Sequence, residues 1–179
     1  MNRSRTVLAV LALALAVFLA HGPAIGAGFL RFDDDRIVTD NPLFQAPLPE
    51  ALAGFLDPTW TIADAYLPVA PLSLWLDWRL LGPGPLGLHL GNLAWHFLAC
   101  LALLALGRRL GLPPLGACLA ALLFAVHPAL AEPVAWVSGR KCLLAGLFSF
   151  LALCLWLDAL SGRRRAGRRL LRAFRVRRR

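Results

Sequence analysis

Four apolar stretches, residues 6–30, 88–106, 110–126 and 142–160, constrain this chain more than any other feature. Roughly 20 residues cross a hydrocarbon core about 30 Å thick, so each stretch reads as a candidate transmembrane helix. Hydrophobic residues make up 59% of the sequence, above the share of an ordinary soluble domain. The fold class expected is all-α integral membrane, with about four transmembrane helices in residues 1–160. The third stretch is short and opens at Pro113 and Pro114. Without it the chain would cross three times and its ends would face opposite sides.

Charge sets the orientation. Arg3 and Arg5 precede the first stretch, Arg108 and Arg109 fill the turn between the second and third, and ten arginines follow the fourth, from Arg163 to Arg179. Fourteen of the 19 basic residues therefore lie on one face, which the positive-inside bias makes cytoplasmic, together with both termini. Nine of the ten carboxylates lie in residues 31–87 and 127–141, which that topology turns outward; the tenth is Asp158. The localisation expected is the inner (plasma) membrane of a bacterium, with the chemistry on the extracytoplasmic face. Residues 161–179 read as an arginine-rich cytoplasmic tail, disordered, with affinity for anionic lipid. Its single aromatic, Phe174, and the lack of a recognition module argue against nucleic acid as a partner. The N-terminus also has the layout of a cleaved signal peptide, but the apolar run resumes through Leu30 and favours an uncleaved anchor. Cys100, Cys118, Cys142 and Cys154 lie in or beside apolar runs, without paired spacing, and read as small hydrophobes.

The first outward loop, residues 31–87, begins Phe-Asp-Asp-Asp-Arg-Ile-Val-Thr-Asp-Asn-Pro-Leu-Phe. Residues 50–55 and 72–81 are expected to be short amphipathic helices in the membrane interface, where Trp60, Trp75 and Trp78 would sit at belt depth. Asp33, Asp34 and Asp35 crowd negative charge a few residues after the first span. A solvated acidic turn is one reading. A general base that activates an acceptor hydroxyl, or ligation of a hard divalent cation by Asp33 and Asp34, are the functional ones.

The second outward loop, residues 127–141, ends Ser138-Gly139-Arg140-Lys141. Two cations on flexible backbone at the start of a span suit a phosphate or pyrophosphate, and His127 and Glu132 form a candidate polar pair at the same mouth. His89, Asn92 and His96 share one helical face. In a span they are expected to point into the bundle interior as hydrogen-bonding groups; no metal site is expected there.

Taken in order, FDDDRIVTDNPLF, YLPVAPLSLWLDWRLLG, LGLHLGNLAWH and ALLFAVHPALAEPVAWVSGRK resemble the N-terminal membrane half of multispanning proteins with tetratricopeptide repeats. These are GT-C-type glycosyltransferases similar to protein O-mannosyltransferases. The resemblance covers about residues 5–157. It implies a hexosyltransferase that uses a polyprenyl- or dolichyl-phosphate-linked sugar as donor and a protein Ser or Thr as acceptor, without a cofactor. It implies Asp33 and Asp34 as the acid/base pair. His89, Asn92 and His96 match the family's span motif, and His127, Glu132, Arg140 and Lys141 match its second-loop motif. Family members continue through further spans and helical repeats, so a truncated relative is expected here. The alternative is a non-catalytic four-span protein or decayed fragment that acts as an interaction subunit.

Overall fold

The computed structural model describes residues 3–31, 33–61 and 65–176. Phe32, Asp64 and Arg177 to Arg179 lie outside the described residues, as do the tail side chains from Arg163 onward. No β-strand is found among the described residues. Seven α-helices follow one another: α1 Arg3–His21, α2 Leu48–Leu56, α3 Val69–Leu81, α4 Pro85–Arg109, α5 Pro114–Ala125, α6 Ala131–Ala135 and α7 Arg140–Val176.

Three continuous helical segments, Arg3–Gly26, Pro85–Arg109 and Val137–Gly162, are long and apolar enough to cross a membrane. The third expected span is broken. Pro114–Ala125 and Pro128–Ala135 meet at a 52° bend, because Pro128 cannot donate its backbone nitrogen and disfavours helix at His127 before it. Three helices are therefore long and apolar enough to span, or four if the bent pair counts as one. Helix α7 runs on through residues 161–176. Arg, Ala and Leu all propagate a helix once it is nucleated.

Helix α4 is the axis of the bundle and touches α1, α3, α5 and α7. Its neighbours bring small residues to it. Ala117, Ala121 and Ala125 form one buried stripe on α5, packed with Ala9, Leu13 and Val17 of α1 and with Leu93, Cys100 and Leu104 of α4. Small side chains let backbones approach closely where a bilayer supplies no hydrophobic drive between helices. Large apolar groups point the other way: Leu8, Leu11, Leu15, Phe18, Leu119, Leu123, Leu155 and Trp156 are exposed. At one end of the bundle, Arg109 Nε donates to both oxygens of Asp158 at 3.1 Å. That contact accounts for the one carboxylate outside the two loops.

The first loop carries a core of its own. Ile37, Val38, Phe44, Ala51, Phe55, Leu74, Trp75, Leu88 and Val137 are buried together, with Trp60 and Trp78 packed on them. Phe44 stands edge-on to Phe55 at 5.9 Å and to Trp78 at 5.7 Å, the arrangement preferred by aromatic quadrupoles. Helices α2 and α3 form a cap in which Trp75, expected at belt depth, is only 6% exposed and packs within the protein. Asn41 fixes the cap's entry: it accepts from Leu43 N at 3.0 Å and donates to Ile37 O at 3.1 Å. At the far end of α2, Thr59 donates through its amide and hydroxyl to Asp57, which holds that exposed carboxyl below its ordinary range.

The turn from α3 to α4 is Gly82-Pro83-Gly84, with φ of +95° and +146° at the two glycines, a backbone that other residues rarely adopt. The reversal lays α3 against the start of α4, which brings Asp77 beside Gly91.

Candidate functional site

The two loops meet through their charged motifs. Asp34, fully buried, accepts from Leu30 N at 3.0 Å on one oxygen and from Ser138 N at 3.0 Å on the other. The Ser138 hydroxyl donates to that second oxygen as well. Asp33, its neighbour, lies 3.8 Å from Lys141 Nζ. Lys141 in turn stands 5.4 Å from the ring centre of Trp136, within cation–π range. Asp33 and Lys141 are both partly exposed, so this pair, and not Asp34, meets solvent. Asp35 accepts from the Thr39 hydroxyl within the wide π-helical turn Asp35–Thr39.

Arg140 is not where a phosphate could reach it. It is 0% exposed, and its guanidinium runs inward along α4. Nε donates to Asn92 Oδ1 at 2.8 Å, Nη1 to Ser73 O at 3.1 Å, Nη2 to Leu88 O at 2.7 Å, and Nη1 pairs with the Asp77 carboxylate. The reason lies in the fork geometry, which serves several acceptors at once and lets a buried cation be fully matched. Gly91 makes the approach possible, since a Cβ there would fall on the Asp77 carboxylate and the Arg140 guanidinium. Arg140, expected to meet a phosphate, is engaged wholly by protein partners, whereas Lys141 is partly exposed and paired with Asp33.

His89, Asn92 and His96 are all fully buried on α4. Asn92 serves as a clamp: its amide donates to Val134 O at 3.3 Å and Trp136 O at 2.8 Å while its oxygen holds Arg140. His96 Nε2 reaches Ala125 O at 3.1 Å. His21 reaches the same carbonyl at 3.0 Å, its ring edge-on to His96, so the bend after α5 is tied to α1 and α4 by two imidazoles. The His89 ring lies against the Ala27 and Gly28 backbone without a hydrogen bond of ordinary geometry.

His127 and Glu132 are exposed and do not pair with one another. His127 Nδ1 accepts from Ala129 N at 3.2 Å and so caps its own turn. Glu132 stands at the edge of an apolar cleft of about 600 Å³, lined also by Ala27, Gly28, Leu30, Ala135 and Trp136. A second cleft, about 270 Å³, runs from Lys141 down α7 along Leu144, Ala145 and Phe148, opposite Tyr66, Leu67 and Val69. Lys141 and Trp136 thus stand between two apolar recesses. Among the described residues no three His, Cys, Asp or Glu side chains are grouped to hold a metal ion.

Sequence reasoning missed Asp77, Ser73 and His21. Each is an ordinary residue within a helix, and only the meeting of distant segments gives it a partner.

The chain is similar to several curated proteins. It is 32% identical over 165 residues to protein O-mannosyl-transferase F38B6.6 of Caenorhabditis elegans, an alignment that covers 84% of this chain and 23% of that protein. It is 34% identical over 151 residues to human protein O-mannosyl-transferase TMTC4, covering 71% and 20%. It is 33% identical over 148 residues to mouse protein O-mannosyl-transferase TMTC1, covering 78% and 16%. The chain thus spans about a fifth of the length of the curated relatives it matches. No family model and no solved structure matches it.

Proposed function

For a chain homologous to proteins named protein O-mannosyl-transferase, we propose a role in transfer of a hexose from a polyprenyl- or dolichyl-phosphate to a protein Ser or Thr at the outer face of a membrane. The observation that carries this reading is the Asp33–Lys141 pair, held open to solvent by two buried anchors, Asp34–Ser138 and Arg140–Asp77. Asp33 takes the proton from the acceptor hydroxyl as its oxygen bonds to the anomeric carbon and the sugar–phosphate bond breaks. Base catalysis of this kind contributes typically 10²- to 10⁴-fold. Lys141 neutralises the departing lipid phosphate. Asp34, assigned by resemblance to the acid/base pair, acts here as the anchor that places Asp33.

Orientation supports the same reading. With Arg3, Arg5, Arg108 and Arg109 at the cytoplasmic side, the loops that bear Asp33 and Lys141 face outward, where a lipid-linked donor would present its head group. GT-C architecture, and membership of a larger assembly with further spans and helical repeats, are part of this proposal. A second reading, a non-catalytic interaction subunit, draws on Arg140, which is engaged entirely within the protein.

A photoreactive polyprenyl-phosphate analogue tests the proposal. Membranes that contain the chain are irradiated with it and the modified peptides mapped. Labelling within residues 132–148, competed by unlabelled polyprenyl phosphate and lost in Lys141→Met, is expected. Labelling unaffected by the Lys141 change would overturn the assignment.

A further inference from the structure

Arg140 precedes Lys141 and follows Ser138 by two residues, so whatever fixes Arg140 fixes the start of α7. Its partners come from two helices: Asp77 and the Ser73 carbonyl on α3, Asn92 and the Leu88 carbonyl on α4. Of these only Asp77 carries charge. Among the described residues no other ionised group is hydrogen bonded to the guanidinium, whose side chain is 0% exposed. The loss of its single counter-ion leaves a buried cation unmatched, and such a cation moves toward water. Movement of Arg140 toward the surface would rotate the first turn of α7 and carry Lys141 and the Ser138 amide with it.

We infer that Asp77 is a positioning residue of the site: through Arg140 it sets the register in which Lys141 meets Asp33 and Ser138 meets Asp34. Asp77 touches neither of those pairs. It acts across two helices, and Gly91 supplies the gap that lets it do so. What Lys141 does once it is placed rests on the transferase reading above; the placement does not.

The test separates the two. Asp33→Cys and Lys141→Cys are introduced together in a Cys142→Ser background, and cross-linking by a short bifunctional thiol reagent is followed in intact membranes. The rate is expected to fall at least fivefold with Asp77→Asn, to fall similarly with Arg140→Ala, and to fall no further with both changes. Asp77→Glu, which keeps the charge, is expected to stay within about twofold of the parent and covers the case in which Asp77→Asn does not accumulate. Unchanged cross-linking in an inserted Asp77→Asn protein overturns the inference. So do losses that multiply in the double variant, or an inserted Asp77→Glu protein that behaves like Asp77→Asn. In parallel, Asp77→Asn with Asp33 and Lys141 intact is assayed for sugar transfer. A parent without transfer whose cross-linking still depends on Asp77 contradicts the transferase reading and leaves the positioning role standing.

Discussion

Asp34 and Ser138 lie 104 residues apart, yet one oxygen of the carboxylate accepts both the amide and the hydroxyl of the serine. This contact fastens the loop after the first span to the loop before the last. Both residues are buried, so the fastening is not diluted by water.

Asp34→Ala leaves the Leu30 and Ser138 amides and the Ser138 hydroxyl without their acceptor. Unmatched buried donors cost about 1–3 kcal/mol each, and a loss of about 3 kcal/mol is expected once relaxation is allowed for. Ser138→Ala removes only the hydroxyl and costs about 1 kcal/mol. Thermal unfolding of the purified protein in detergent checks the order. Hydrogen exchange should show both loops loosened together in Asp34→Ala.

Arg140→Met strands the Asp77 carboxylate and two carbonyls, and a loss of about 3–5 kcal/mol is expected. Arg140→Lys keeps the charge but cannot reproduce a fork that meets Asn92, Ser73, Leu88 and Asp77 at once. It should rescue less than half of the loss in the same unfolding measurement.

Gly91→Ala places a methyl on the Arg140–Asp77 pair. Overpacking of this kind costs about 1–3 kcal/mol, and the variant should resemble Asp77→Asn more than an ordinary helix change. Gly146→Ala on α7, where a Cβ meets nothing within 4 Å, is the control and should be neutral or slightly stabilising through helix propensity.

His21 and His96 share the Ala125 carbonyl at 3.0 and 3.1 Å. Loss of either leaves the carbonyl one donor, at a cost of about 1 kcal/mol; loss of both leaves it unmatched in the bundle. His21→Ala with His96→Ala should therefore cost more than the sum of the single changes by about 1 kcal/mol, read as a double-mutant cycle in unfolding.

The apolar helices were legible because apolar length is a local property: residues 88–106 and 142–160 declare themselves, and Pro113 and Pro114 mark the third as the weakest, although the bend itself falls at its other end, before Pro128. The meeting of Asp33 with Lys141 was foreshadowed by the topology expected from the charges, which puts both loops on one face. The compact first loop was not legible, since Trp60, Trp75 and Trp78 have the same composition whether they anchor in lipid or pack on Phe44 and Phe55. Nor was the split between Arg140 and Lys141. Two adjacent cations look alike in sequence, and their fates diverge only because helical geometry points one at α4 and the other at Trp136. Asp77, 63 residues before Arg140, gives no local sign of its partner.

Transfer of labelled sugar from a polyprenyl-phosphate donor to a Ser- or Thr-containing peptide, in membranes that carry this chain, is the most direct measurement. It is made with the parent, Asp33→Asn and Lys141→Met at matched levels of inserted protein. The partly exposed, 3.8 Å ion pair contributes only about 1 kcal/mol to folding, so both variants should remain folded while transfer falls at least 100-fold. Transfer at the parental rate by an inserted Asp33→Asn protein would contradict the assignment of the proton acceptor, and with it the site built on Asp33 and Lys141.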